Sequence, residues 1–287
     1  MMHQPLTEAD LFKAEQDVAS RHMGHFPWFV VAWGLVNFAV WLSLWPLVII
    51  AGLPLWAGFL IACVSISLSY LPSHEAIHNI IARPGEKLHW LNELVGHVSL
   101  LPLVLPYRIA RLVHIEHHKH CNDPDLDPDH TAAASGPLHA IWRSIENRQP
   151  RARGGNNVMR RTMVRIGRPE VLLDGVLHQG AHYTILFVLA WNGFALEAAL
   201  IWWLPRHVAL TYIQYYLSWA PHHPATDTTR YGNTRGFRAM FGNVASMGMQ
   251  FHLVHHLHPR IPLMRTPAAY REMRPILEAR GCDVSEL

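Results

Sequence analysis

Charge is scarce in this 287-residue chain: 16% of its residues are Asp, Glu, Lys or Arg, where a soluble domain carries about a quarter. The scarcity is concentrated. From Phe26 to Pro72, 47 residues pass without one charged side chain. As helix that is roughly 70 Å, enough to cross a ~30 Å hydrocarbon core twice and too long for a single buried helix of a soluble core. Cysteine is almost missing too. Cys63, Cys121 and Cys282 show no paired spacing, which excludes a disulfide framework and a cysteine-based zinc finger. Residues Met1 to Gly24 lack the apolar core and small-residue cleavage site of a secretory signal, and they lack the arginine richness of a transit peptide. The formal net charge is only +3 and no nucleic-acid motif occurs, so nucleic acid is not an expected partner. The chain carries no haem, flavin or iron–sulfur motif of its own.

What is present is apolar sequence, half of the chain, arranged as two hairpins. Spans are expected near 28–50 and 53–71, joined by Gly52-Leu53-Pro54, and near 176–192 and 198–219. The turn of the second hairpin falls at Asn192-Gly193 or at Pro205-Arg206. Residues 1–25 read as a polar helical arm. Leu88–Leu105 is apolar but holds His89, Asn92, Glu93 and His97 and ends in Pro102 and Pro106, the pattern of an interfacial or re-entrant helix. Residues 131–170 read as soluble and basic, with Arg143, Arg148, Arg151, Arg153, Arg160, Arg161, Arg165 and Arg168. The expected fold is all-α: one domain over 1–287, a polytopic membrane protein with four transmembrane helices and a cytosolic helical cap, 73–175 and 220–287. The bias of basic residues puts both termini and the 73–175 loop in the cytoplasm, with a bacterial inner membrane as the expected location.

Histidine is the excess: 22 residues. Three boxes stand out. They are His74-Glu75-Ala76-Ile77-His78, His114-Ile115-Glu116-His117-His118 and His252-Leu253-Val254-His255-His256, with a His222-His223 pair after the fourth span. Residues at i, i+3 and i+4 share one helical face, so each box can aim its imidazoles one way. His120 and His258 fall further round the helix and are left out. Complete hairpins separate the boxes, so all of them reach the same side of the membrane. His25, His89, His97, His178, His182 and His207 stand alone and read as structural. Counting leaves His74, His78, His114, His117, His118, His222, His252, His255 and His256. Nine imidazoles exceed the capacity of one metal. A structural zinc is closed by four ligands, and histidine-rich sites with open positions suit redox iron.

Four spans with boxes of this form resemble the membrane fatty-acid desaturase and hydroxylase superfamily over roughly residues 27–275. The run His114-Ile-Glu-His117-His118-Lys-His120-Cys-Asn122-Asp123-Pro124-Asp125-Leu-Asp127-Pro128-Asp129-His130, with Pro221-His222-His223-Pro224 and His252-Leu-Val-His255-His256-Leu-His258-Pro259, is most similar to the cyanobacterial and plant type of β-carotene ring hydroxylase. That group has Asp where this chain has Ser218, and commonly Asn-Tyr where it has Gln250-Phe251. The resemblance implies two iron ions, molecular oxygen as co-substrate, a lipid substrate, and electrons from an external ferredoxin- or cytochrome-type donor. It marks His222, rather than His223, as the extra ligand. The expected reaction is hydroxylation of a carotenoid ring, with acyl-lipid desaturation as the alternative. Ligating histidines are usually braced by a carboxylate or other acceptor on the second ring nitrogen; Glu75, Glu116, Asp123, Asp127 and Ser218 are the candidates. The basic 143–168 segment is suited to dock an acidic electron donor. A histidine-rich metal transporter is the competitor from another class, but it would carry its ionisable residues near the midplane between repeats.

Overall fold

The computed structural model describes residues 7–150, 154–240 and 242–287. Helix α1 (Glu8–His22) opens on a capping box, in which the Thr7 hydroxyl accepts from the Asp10 amide and the Asp10 carboxylate accepts from the Thr7 amide. It is not a free arm. Its Glu15 is fully buried against the C-terminal part of the chain. Two long apolar segments follow: α2 (Trp28–Ile49), then α3 (Leu55–Leu68), which runs after a one-residue break into α4 (Tyr70–Ile77). Both Trp28–Ile49 and Leu55–Ile77 are long and apolar enough to cross a membrane. Only 17% of the apolar window in the first is buried. A soluble core helix would hide that surface, whereas α2 turns Trp28, Phe29, Val36 and Leu42 outward.

The apolar patch after the first box forms α5 (His89–Leu100), which breaks into irregular backbone at Leu101–Leu105 before α6 (Tyr107–His120). Exposed carbonyls are costly in an apolar setting. Here Trp202 Nε1 donates to the Pro102 carbonyl and Arg206 Nε to the Leu103 carbonyl, each at 2.8 Å. Helices α7 (Pro137–Asn147) and α8 (Asn156–Arg165) complete this part of the cap. The 131–170 segment is less uniformly polar than expected: α7 exposes Leu138, Ile141, Trp142 and Ile145 on its outer face.

The second hairpin pairs α9 (Leu172–Trp191) with a continuous helical run from Ala195 to Trp219. That run comprises α10 (Ala195–Ala198), a π stretch (Ala199–Trp203), α11 (Leu204–Ile213) and a second π stretch (Gln214–Trp219). The turn is Asn192-Gly193, where Gly193 takes φ 91°, a conformation that suits glycine. Pro205 lies in the first turn of α11 and breaks nothing. Neither helix of this hairpin is among the two that meet the length and apolarity of a span, so two of the four expected spans have that support. The chain ends in the short α12 (Gly242–Ala245), α13 (His252–Leu257) and α14 (Thr266–Ala279). Among the described residues the regular structure is helical, and the sole β feature is an isolated bridge between Arg235 and Asp283.

Candidate metal centre

Four helical pieces carry the nine histidines. His74 sits on α4 with His78 capping it. His114, His117 and His118 lie on the last turns of α6, His222 follows the run that ends at Trp219, and His252, His255 and His256 lie on α13. The first box is therefore on the final turns of the apolar segment itself, not just beyond it. The rings gather into two groups. His74, His78, His114, His118 and His255 form one, and His117, His222, His252 and His256 the other, each with its candidate ligand atoms within 4.8 Å of one another. The partition divides each H-x-x-H-H box in the same way. The i, i+4 pairs His114/His118 and His252/His256 each serve one group, while the intervening i+3 residues, His117 and His255, serve the other. Helices α6 and α13 thus each span both groups.

The nitrogens converge in a way hydrogen bonding cannot satisfy. His114 Nε2 lies 2.9 Å from His78 Nε2 and 3.0 Å from His118 Nε2, which is itself 3.0 Å from His255 Nε2. Each Nε2 of a neutral imidazole carries one proton or one lone pair, so His114 and His118, each with two Nε2 neighbours, cannot make a full hydrogen bond to both. Buried His74 Nε2, His222 Nε2, both nitrogens of His252 and His256 Nε2 have no partner at all. A cation between the rings removes both conflicts. Two imidazole nitrogens bound at ~2.1 Å lie ~3.0 Å apart at a right angle and ~3.4 Å apart at a tetrahedral angle. The observed 2.9–3.0 Å spacings in the first group are of this size, and the donor set of five and four imidazoles fits two ions.

Protonation agrees. Burial, reinforced by neighbouring rings, holds His78, His114, His118, His252, His255 and His256 well below the ordinary imidazole range, and His222 is pushed down to about 3. These rings are neutral, the form that binds a metal. His117 is the exception. Burial disfavours its charged form, but the Asp127 carboxylate outweighs burial and lifts it to about 9. Its Nδ1–H donates to Asp127 Oδ1 at 2.9 Å, which fixes the tautomer and leaves Nε2 facing the group. Asp127 is itself locked, accepting from the backbone amides of Asn122 and Asp129 at 2.8 Å each.

The other proposed braces act elsewhere. Glu75 accepts from the Leu263 amide. Glu116, facing away from the rings, pairs with Lys119 and Arg165. Asp123 is half-buried and caps its own turn through the Asp125 and Leu126 amides. Ser218 does not reach His222; its Oγ donates to Asp129 at 3.1 Å. The neighbours of His222 Nδ1 are instead the Asn233 carbonyl at 3.1 Å and Cys121 Sγ at 3.3 Å, while His223 turns to the Ala134 carbonyl. Local sequence spacing held no sign of Asn233, because the contact closes over eleven residues of irregular chain. Buried Glu15 was likewise not singled out. Glu15 accepts from His258 at 2.9 Å and from Tyr231 at 3.0 Å, which ties α1 to the end of the third box.

Beside both groups lies a cavity of about 540 Å³, within the range of small-ligand sites. His74, His114, His117 and His252 face into it, and Leu105, Val113, Leu210, Ile213 and Leu217 wall it.

A family model described as fatty acid desaturase matches residues 50–286. The chain is 31% identical over 126 residues to an sn-1 oleoyl-lipid 12-desaturase of Picosynechococcus sp., a match covering 42% of this chain and 32% of that protein. It is 32% identical over 88 residues to a protein of the same name from Anabaena variabilis, covering 31% and 24%. An sn-1 acyl-lipid omega-3 desaturase (ferredoxin) of Nostoc sp. is 34% identical over 58 residues, covering 20% and 15%. The chain thus spans about a third or less of the length of these relatives.

Proposed function

Since the chain belongs to the fatty acid desaturase family, we propose that it is a membrane-bound, non-haem di-iron oxidoreductase that uses oxygen to desaturate an acyl lipid. The observation that carries the reading is the pair of converging imidazole groups beside one cavity partly walled by apolar side chains. His74, His78, His114, His118 and His255 would hold one iron, and His117, His222, His252 and His256 the other. When bound, iron with oxygen and two external electrons supplies the oxidising power to take hydrogen from an unactivated C–H bond. The protein supplies position. Leu210, Ile213 and Leu217 align the chain, the buried rings exclude water, and Asp127 keeps His117 in its metal-binding tautomer. Carotenoid ring hydroxylation, the first expectation from the sequence, gives way because the similar proteins are named for acyl-lipid chemistry.

The electrons come from a ferredoxin- or cytochrome-type donor on the cytoplasmic side, the face to which the histidine groups are assigned. The proposed docking surface within the arginine segment is the outer face of α8, which exposes Arg160 and Arg161; Arg151 and Arg153 lie outside the described residues. Expression in a host that makes both β-carotene and monounsaturated lipids tests the assignment. New double bonds in acyl chains with unchanged pigment are expected. Hydroxylated carotenoid with unchanged acyl chains would overturn it.

A further inference from the structure

The end of the cavity away from the histidines is basic. Arg148 and Arg206 both line it, with Gln149, Gln179 and His207. Arg148 donates to the Ser144 and Thr211 hydroxyls, and Arg206 spends Nε on the Leu103 carbonyl. Among the described residues neither guanidinium has a carboxylate partner, unlike Arg143, Arg165 and Arg168, and both line the same cavity. Two partly buried like charges lining one cavity are unfavourable unless an anion joins them. Their fork-shaped donors match the oxygens of a carboxylate or a phosphate.

The distance to the histidines follows from one helix. Arg206, Leu210, Ile213 and Leu217 recur at steps of four, three and four, so one face of the 204–219 run lines the cavity lengthwise. Eleven residues of helix measure roughly 17 Å. Beyond Leu217, Ser218 contacts Asp129, which lines the cavity together with His117. One apolar-walled space therefore has a cationic end and a histidine end. We propose that Arg148 and Arg206 form a head-group site that selects acyl substrates bearing an anion, either the carboxylate of a free fatty acid or the phosphate of a phospholipid. The proposal rests on the reading of this chain as an acyl-lipid oxidoreductase and adds the chemistry of the head.

Competition binding on the iron-loaded, detergent-solubilised protein tests it, with oleate, dioleoyl phosphatidate and methyl oleate as probes. At least one of the two anions should bind roughly ten-fold or more tightly than the uncharged ester. Which one does so identifies the source of the charge. Arg148→Gln and Arg206→Gln should each weaken the anion roughly ten- to hundred-fold while leaving methyl oleate binding and iron content unchanged. Arg206 also supports the Leu103 backbone; if its variant loses iron, Arg148→Gln, which touches no main chain, decides. Equal binding of all three probes to the wild type, or Arg148→Gln binding the anion like the wild type, overturns the head-group site. Those results leave the acyl-desaturase reading standing, because that reading falls on iron content and cellular acyl chains, and neither enters this measurement.

Discussion

Replacing Asp127 by Asn isolates what one carboxylate does for the second histidine group. The substitution conserves shape and removes the charge. In the wild type both oxygens of Asp127 only accept: Oδ1 from His117 Nδ1–H and the Asp129 amide, Oδ2 from the Asn122 amide. An Asn amide presents one oxygen and one NH2. If the oxygen faces His117, the NH2 meets the Asn122 N–H; if it is turned round, it meets the ring N–H. In the first case one donor loses its acceptor, in the second two, the ring N–H and the Asp129 amide, at a cost of roughly 1–3 kcal/mol for each. The charge-assisted bond that fixes the His117 tautomer also weakens. Loss of such a brace lowers metal affinity by about 10–100-fold. Asp127 touches only His117 among the nine rings, so the effect should be confined to the His117, His222, His252 and His256 group. Iron titration of the purified variant, followed by Mössbauer spectroscopy, should show one iron held as in the wild type and one released at micromolar chelator. If Asp127→Asn keeps both irons at wild-type affinity, Asp127 is only the cap of its turn. Equal weakening of both irons would refute the independence of the two groups.

His222→Ala should lose one iron per chain by metal analysis, whereas His223→Ala, whose ring meets the Ala134 carbonyl, should keep both. A methyl at Gly96 would overlap the fully buried Tyr107 ring; Gly96→Ala should cost about 1–3 kcal/mol, read as a lowered unfolding temperature in detergent. Exchanging Arg160 and Arg161 for Gln should flatten the salt dependence of donor-supported turnover without changing iron content; unchanged salt dependence would remove α8 from the donor interface. Stripping iron with a chelator should lower the unfolding temperature, and adding ferrous iron back should restore it.

Much of this arrangement was legible because its signals are local. Helical spacing within His114–His118 and His252–His256 marked rings that share a face, and the uncharged run from Phe26 to Pro72 marked the first hairpin. What spacing cannot express is which rings from different helices meet. The division of each H-x-x-H-H box between two groups depends on how α6 and α13 cross, a tertiary fact. The bracing residues divide in the same way. Of five candidates chosen for closeness in sequence, only Asp127 touches a ring of the set, because the turn at 122–129 folds back on α6. Asn233 reaches His222 across a loop, and Ser218 meets Asp129 from 89 residues away. The second hairpin was harder to read because its polar residues, Arg206 among them, dilute its hydropathy. They do so to seal the irregular Leu103 backbone and to line the cavity.

The same geometry makes the metal centre a part of the fold. Five buried ring nitrogens, His74 Nε2, His222 Nε2, His252 Nδ1 and Nε2, and His256 Nε2, have no hydrogen-bond partner. At roughly 1–3 kcal/mol for each unsatisfied buried group, the penalty is about 5–15 kcal/mol, as large as the net stability of a typical domain. A sequence under no demand but stability would place apolar side chains there. Holding these rings together against that penalty requires anchors outside the site. Glu15 ties α1 to His258, just past the third box. Glu75, inside the first box, holds the Leu263 amide that follows the third, and Asp127 ties the second box to its own turn. Each box is thus fixed by a buried carboxylate, and only one of the three carboxylates touches a ring of the nine. The acids inside and beside the boxes serve mainly to keep the helices in register, so that imidazoles from segments up to 182 residues apart, His74 to His256, arrive at spacings a pair of ions can bridge.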